Sequence, residues 1–245
     1  MTRRLILSAI TLLFSSSSSF ADPAPKDMKL FLLIGQSNMA GRGKVEPKDQ
    51  EVNPQIFMLT KDLQWVPAKD PLHFDKPAAG VGLGSEFARE VSKADPKMTI
   101  GLIPCAVGGT TLDQWKDGSP LYKTAVERAT EAMKQGTLAG ILWHQGESDS
   151  SPALAATYED RLTKMMRSLR KDLKAEKVPV ILGELSRGFK NNDAVNEQLA
   201  KSAKKIPLCG LATTEGLEVA LHFNSASYRK LGARYAAEYL KLAKP

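Results

Sequence analysis

Residues 32–41 read LLIGQSNMAG, an apolar run that breaks directly into a glycine, two amides and a hydroxyl. The apolar part is typical of a buried strand, and the simplest interpretation of the remainder is a polar turn. The alternative is that Ser37 lies at the carboxyl end of a parallel strand, where open α/β sheets hold their functional sites. The rest of the chain decides between the two interpretations.

Five apolar, strand-forming runs recur along the chain. They are residues 28–34, 98–104, 138–143, 178–183 and 207–212. None alternates cleanly between polar and apolar residues, which indicates strands covered on both faces. Helical periods separate these runs, and strands that alternate with helices predict βαβ units. We expect an α/β fold with three layers, α/β/α, around a five-stranded parallel sheet, with residues 57–66 forming a small hairpin outside it.

The first 21 of the 245 residues predict a secretory signal peptide. Arg3 and Arg4 supply the positive start, residues 5–14 are apolar, and a serine tract leads to Ala21. A membrane anchor would need about 20 apolar residues, roughly twice this run. We therefore expect a single domain over residues 22–245 that is secreted or periplasmic, with no membrane partner after cleavage.

The charge of the mature chain does not indicate a nucleic-acid partner. Without Arg3 and Arg4, 32 basic residues face 27 acidic ones, a net charge of +5. The densest basic segment, residues 167–177, lies on a predicted helix without interleaved aromatic residues, and a solvated helix face accounts for it.

Polar clusters follow three of the five predicted strands, at residues 35–38, 107–111 and 144–149. Because the carboxyl ends of parallel strands meet at one rim of the sheet, these clusters are expected to converge there. Acyl transfer needs a nucleophile, a base, a group that orients the base and donors for the oxyanion. The clusters offer Ser37, a glycine pair that allows close backbone approach, and an amide.

Three histidines are candidates for the base. His73 lies in a loop and is interpreted as a structural or surface residue. His144 continues the third strand directly, a position typical of a structural residue. His222 lies just before the last helix, on a segment that is free to fold over the strand ends, and we favour it as the base.

Four segments give the chain a family resemblance: GQSNMAG (35–41), AVGGTTLDQW (106–115), WHQGESD (143–149) and LHFNSASYRKLGARYA (221–236). They resemble the SGNH hydrolase superfamily, in particular its carbohydrate-esterase branch of acetylxylan esterases and sialate O-acetylesterases. The segments follow the family order from about residue 29 to the end of the chain. The resemblance implies a flavodoxin-like strand order, 2-1-3-4-5, and a serine esterase that removes O-acetyl groups from carbohydrates.

The same resemblance implies roles for individual residues. Ser37 is the nucleophile and His222 is the base. The expected oxyanion donors are three groups: the Ser37 backbone N–H, a backbone N–H at Gly108 or Gly109, and the Gln145 side chain.

The expected substrate-binding residues are Gln36, Asn38 and Trp115. Core packing is the alternative for Trp115. Three scattered histidines and no H-E-x-x-H segment make a weak case for a metal, so neither a metal nor another cofactor is expected.

One residue departs from the family pattern. Many relatives have an aspartate three residues before the histidine, where this chain has Val219. The acid that orients the imidazole must therefore come from elsewhere. Glu147 is the first candidate and Glu218 is the alternative.

The expected partner is an acetylated carbohydrate. Acetylated xylan is the first choice, acetylated sialic acid is an alternative, and a non-catalytic carbohydrate-binding protein on the same fold is a third. The sequence leaves the oligomeric state open.

The implied strand order also bears on the two cysteines. Cys105 ends the second predicted strand and Cys209 lies in the fifth, at opposite edges of the sheet. Four steps of about 4.8 Å separate them by roughly 19 Å, whereas a disulfide needs Cα atoms within about 7 Å. We expect two separate, buried thiols, although an exported chain with two cysteines usually suggests a bridge.

Overall fold

A computed structural model describes residues 25–187, 191–217 and 219–243. The predicted signal peptide at residues 1–21 lies outside the described residues. Seven strands form one sheet: β1 (Met28–Gly35), β2 (Ile56–Leu59), β3 (Trp65–Pro67), β4 (Ile100–Pro104), β5 (Gly136–His144), β6 (Val180–Gly183) and β7 (Cys209–Ala212). Their order in the sheet is β3-β2-β4-β1-β5-β6-β7.

The five strands predicted from sequence form the parallel part of this sheet. They are β4, β1, β5, β6 and β7, side by side in that order and all parallel. The predicted order 2-1-3-4-5 is therefore confirmed for these five strands.

The prediction that the sheet has only five strands, with a hairpin outside it, is wrong. Strand β2 pairs in parallel with β4, and β3 pairs antiparallel with β2. Ile56 and Leu59 of β2 are buried, which shows why this short segment joins the sheet instead of lying outside it. The structure is thus an α/β fold with a seven-stranded, mostly parallel sheet.

Seven helices accompany the sheet: α1 (Ser37–Ala40), α2 (Leu83–Ala94), α3 (Pro120–Ala132), α4 (Pro152–Ala155), α5 (Tyr158–Asp172), α6 (Asn192–Lys205) and α7 (Ser225–Leu242), counted over the described residues. The two core layers lie on opposite faces of the sheet, one with α2 and α7 and the other with α3, α5 and α6. Along β1, Leu30 and Leu32 belong to the second layer, whereas Phe31 and Leu33 belong to the first. Helices thus cover both faces, which explains why the strands show no polar alternation.

The two cysteines are free thiols. Cys105 directly follows β4 and Cys209 begins β7, with β1, β5 and β6 between those strands. Burial raises the pKa of Cys105 to about 11 and that of Cys209 to about 12. The prediction of two separate thiols is confirmed, but both residues are only partly buried.

None of the helices in the described part of the chain has the length and apolar character needed to cross a membrane.

Candidate active site

The carboxyl end of β1 carries Ser37. Gly35 has a φ of +133°, and a Cβ there would collide with the carbonyl of His144 on the neighbouring strand. The Gln36 N–H donates to that same carbonyl at 2.9 Å. The chain then turns into α1, whose first residue is Ser37. The glycine in GQSNM thus allows the close approach of β1 and β5 that places the serine at the rim.

Ser37 meets His222 at this rim. The His222 Nε2 lies 3.1 Å from the Ser37 Oγ. Ser37 is 8% exposed, and His222 is partly buried. His222 lies on the segment before α7, and the Asn224 side chain caps that helix by accepting from the Ser227 N–H at 2.8 Å. The pairing of serine and histidine expected from sequence is present in the structure.

The environment of His222 favours the neutral imidazole. Burial lowers the pKa of His222, and the guanidinium of Arg42 lowers it further. A neutral Nε2 accepts the hydrogen bond from the Ser37 hydroxyl and is available to take its proton. This is the arrangement that a serine nucleophile and its general base require.

The other two histidines are structural. His144 is fully buried, and its Nδ1 lies 3.0 Å from the Tyr235 hydroxyl, which itself donates to the Trp143 carbonyl at 2.8 Å. The Nδ1 is therefore the donor in that pair. Burial lowers the pKa of His144 to about 3 and that of His73 to about 4. Within the described residues neither histidine forms a hydrogen bond with Ser37.

Two backbone N–H groups at the rim are candidates for binding an oxyanion. In the described part of the chain, the N–H groups of Ser37 and Gly109 form no hydrogen bond. The Gly108 N–H donates instead to the Asp75 carboxylate at 2.8 Å. Of the glycine pair, Gly109, with a φ of +83°, therefore fits the role of donor better than Gly108.

Gln145 lies below the rim in a buried polar network. Its amide Nε2 donates to the Thr110 carbonyl at 3.0 Å and to the Asp149 carboxylate at 2.7 Å. Its Oε1 accepts from the Tyr158 hydroxyl at 2.9 Å. Both amide hydrogens have partners in the folded protein, so this geometry does not favour Gln145 as an oxyanion donor. That role stays a prediction.

The structure places Trp115 in the core. Its ring is 1% exposed, packs edge-to-face on Trp143 at a centroid distance of 5.8 Å, and donates from Nε1 to Thr110 at 3.0 Å. A sugar cannot stack on a ring without an exposed face. This burial favours the core-packing interpretation of Trp115 over the expected contact with substrate, which stays a prediction.

Gln36 and Asn38 also point into the protein. The Gln36 Oε1 accepts from the Gln145 amide at 3.4 Å, and both Gln36 and Asn38 are buried. The Asn38 amide donates to Glu147 at 2.5 Å, while its carbonyl accepts from the Tyr228 hydroxyl at 2.7 Å. The expected contact of these two residues with substrate stays a prediction.

Glu147 contacts Asn38, the residue that follows the proposed nucleophile. Its carboxylate is held by Asn38, its second oxygen has no partner among the described residues, and burial raises its pKa. Within that same part of the chain it forms no hydrogen bond with His222. The alternative acid, Glu218, lies outside the described residues. The identity of the triad acid stays a prediction.

Sequence reasoning missed a buried ion pair beside the site. The Arg42 and Asp75 side chains are joined at 2.6 Å. These residues are 33 positions apart in the chain, and neither belongs to a recognised segment with an assigned role. The only sequence signal was Arg42 directly after the GQSNMAG segment. Among the described residues, no group of three or more His, Cys, Asp or Glu side chains is placed to hold a metal ion.

Comparisons with known proteins identify the family of this chain. The family model for "Carbohydrate esterase, sialic acid-specific acetylesterase" matches residues 27–241. The chain is 34% identical over 242 residues to the "Probable carbohydrate esterase At4g34215" of Arabidopsis thaliana, across 89% of this chain and 92% of that protein. The solved structure of that plant protein is similar, with a TM-score of 0.82 at 33% identity, covering 88% of this chain and 98% of the other.

Two more distant structures share the fold. NanS has a TM-score of 0.75 at 18% identity, covering 89% of this chain and 98% of its own. XAC1771 from Xanthomonas citri, described as a novel carbohydrate acetylesterase, has a TM-score of 0.68 at 19% identity, covering 88% of this chain and 56% of its own.

Proposed function

The chain belongs to the carbohydrate esterase, sialic acid-specific acetylesterase family, whose members are ester hydrolases. From this we propose a catalytic mechanism and a substrate class for the protein. The protein is a serine esterase that removes O-acetyl groups from carbohydrates through an acyl-enzyme on Ser37. The observation that carries the proposal is the 3.1 Å contact between the His222 Nε2 and the Ser37 Oγ.

The first half of the reaction forms the acyl-enzyme. The Ser37 Oγ attacks the carbonyl carbon of the acetyl ester while the His222 Nε2 takes the hydroxyl proton. The carbonyl oxygen becomes an oxyanion, which the N–H groups of Ser37 and Gly109 bind. The tetrahedral intermediate then collapses, the bond to the sugar oxygen breaks, and His222 gives its proton to that oxygen. The sugar leaves with a free hydroxyl, and the acetyl group stays on Ser37.

The second half releases acetate. A water molecule takes the place of the sugar, and His222 removes its proton as the oxygen attacks the acetyl carbon. The same two N–H groups bind the new oxyanion, and Ser37 leaves with the proton returned by His222. No step needs a metal or another cofactor.

Acetylated xylan is the proposed substrate class, and the supporting argument is the likeness to acetylxylan esterases in the four quoted segments. Acetylated sialic acid is the second candidate, which the family description supports. We also propose that the protein is exported, on the strength of the charged, apolar and small-residue pattern of residues 1–21.

The proposal is tested by acetate release from a panel of acetylated sugars, run beside Ser37→Ala. The panel includes acetylated xylan, another acetylated polysaccharide and acetylated sialic acid. Release that disappears in Ser37→Ala supports the serine esterase, and the preferred sugar gives the substrate class. Saturable sugar binding without any release would instead show a non-catalytic carbohydrate-binding protein.

A further inference from the structure

The ion pair of Arg42 and Asp75 is held in two contacts. The Arg42 Nη2 lies 2.6 Å from the Asp75 Oδ2, and the Arg42 Nη1 lies 3.3 Å from the Asp75 Oδ1. The two side chains are 8% and 1% exposed. Burial by itself would raise the pKa of Asp75, but hydrogen bonds from Arg42 and from the Gly108 N–H hold that pKa below its ordinary value. Asp75 is therefore a buried carboxylate that stays ionised.

The same carboxylate holds the glycine pair. The Asp75 Oδ2 accepts the Gly108 N–H at 2.8 Å, in addition to the contact from Arg42. A Cβ at Gly108 would collide with the Arg42 guanidinium and would lie 3.4 Å from the Ser37 Cβ. Gly108 therefore packs between the ion pair and Ser37. The next residue, Gly109, has the backbone N–H without a hydrogen-bond partner among the described residues.

We propose that Asp75 is a positioning residue of this site, which fixes the Gly108–Gly109 backbone beside Ser37 and balances the charge of Arg42 beside His222. This inference rests on the proposed function. It adds a residue that touches neither substrate nor the reacting atoms.

The second role proposed for Asp75, balancing the charge of Arg42, follows from the charges around His222. Arg42 is the charged group that acts on His222 among the described residues, and Asp75 lies against it. Glu147 accepts a hydrogen bond from Asn38 and forms none with His222 among the described residues. Because the reaction puts a positive charge on His222, an unbalanced Arg42 would oppose proton transfer from Ser37.

The experiment compares two variants of the Arg42–Asp75 ion pair, one that removes the negative charge and one that removes the positive charge. The measured quantity is kcat/KM as a function of pH, whose decrease at low pH is the acid limb. In Asp75→Asn the uncompensated guanidinium lowers the pKa of His222, so the acid limb of kcat/KM moves to lower pH. In Arg42→Met the guanidinium that lowers the pKa of His222 is lost and the Asp75 carboxylate is left unpaired, so this pKa rises and the limb moves to higher pH. Each shift is expected to be on the order of one pH unit. The double variant removes both charges and returns the limb close to its original position.

Asp49→Asn is the matched control. Asp49 is also a buried carboxylate, paired with Arg229 at 2.8 Å and accepting a backbone N–H, from Glu46, at 2.8 Å. Its ion pair does not include any residue of the proposed site. This variant is expected to be less stable but to keep the original pH profile.

Shifts in the same direction, or no shift in either variant, would overturn the proposal. The profile is measured on the folded fraction, so Arg42→Met and the double variant carry the test if Asp75→Asn folds poorly. If kcat falls in Asp75→Asn while the acid limb does not move, the proposed charge balance is wrong, and Asp75 has only a structural role. Ser37→Ala keeps the two conclusions apart: full activity in that variant refutes the proposed function itself, whatever the Asp75 variants show.

Discussion

The Asn38 side-chain amide donates a hydrogen bond of 2.5 Å to the carboxylate of Glu147. Asn38 follows the proposed nucleophile directly, and its carbonyl accepts from the Tyr228 hydroxyl on α7, the helix that follows His222. The three side chains therefore join the serine segment, the end of β5 and the helix behind the histidine. This buried network is satisfied only in part, because the Glu147 Oε2 has no partner among the described residues.

Glu147→Gln is expected to reduce kcat more than Glu218→Gln does. Loss of the carboxylate that orients the imidazole in a serine hydrolase costs about four orders of magnitude in kcat. Steady-state kinetics on the two variants, with the folded fraction checked by circular dichroism, make the comparison. A nearly normal Glu147→Gln beside a crippled Glu218→Gln would show that Glu218 is the triad acid.

Tyr228→Phe is expected to lower the free energy of unfolding by about 1–3 kcal/mol, because it leaves the buried Asn38 carbonyl without its donor. Urea denaturation measures the change. Tyr239→Phe on the same helix is the control, since the Tyr239 hydroxyl forms no hydrogen bond within the described residues. Equal losses in the two variants would mean that the hydrogen bond to Asn38 contributes nothing measurable.

The acid limb of kcat/KM is expected to lie below pH 6.5, the ordinary pKa of histidine. Burial and, to a lesser degree, Arg42 lower the pKa of His222, so the base stays free of its proton in mildly acidic solution. The measurement is kcat/KM for a soluble acetyl ester from pH 4 to pH 8. A limb centred above pH 6.5 would contradict this environment for His222.

Folding stability is expected to decrease as the pH falls below 6.5, in part because of His144. Its pKa is about 3 in the folded protein and about 6.5 in the unfolded chain, so the unfolded chain binds the extra proton between those values. Each pH unit in this window costs about 1.4 kcal/mol. His144→Gln, which does not titrate, is expected to reduce the difference in unfolding free energy between pH 7 and pH 5 by about 2 kcal/mol. An unchanged difference would show that His144 does not contribute.

The sequence predicted the fold best where the signal was local. Each of the five parallel strands is a continuous apolar run, and their order followed from the family resemblance carried by the polar segments at their ends. Strands β2 and β3 were missed as members of the sheet because they are four and three residues long. Nothing in so short a segment shows that β2 pairs with β4, which begins 44 positions after it.

For the site, sequence indicated the pairing of Ser37 with His222 but not what surrounds it. Asp75 meets Gly108 across 33 positions, and Gln145 meets Thr110 across 35. Such contacts depend on how loops fold over the rim, which periodicity does not report. For the same reason, the sequence did not show that the Trp115 ring is buried. An aromatic residue in a polar segment has the same local sequence whether its ring faces the core or the solvent.

An acyl-enzyme on Ser37 is detected most directly by finding the acetyl group on that residue. The protein is mixed rapidly with p-nitrophenyl acetate, quenched in acid within a turnover, digested and analysed by peptide mass spectrometry. One acetyl group is expected on the peptide that contains Ser37, and none on that peptide in Ser37→Ala. Turnover with the acetyl group on another residue, or with no acetylated peptide at any quench time, would contradict an acyl-enzyme on Ser37.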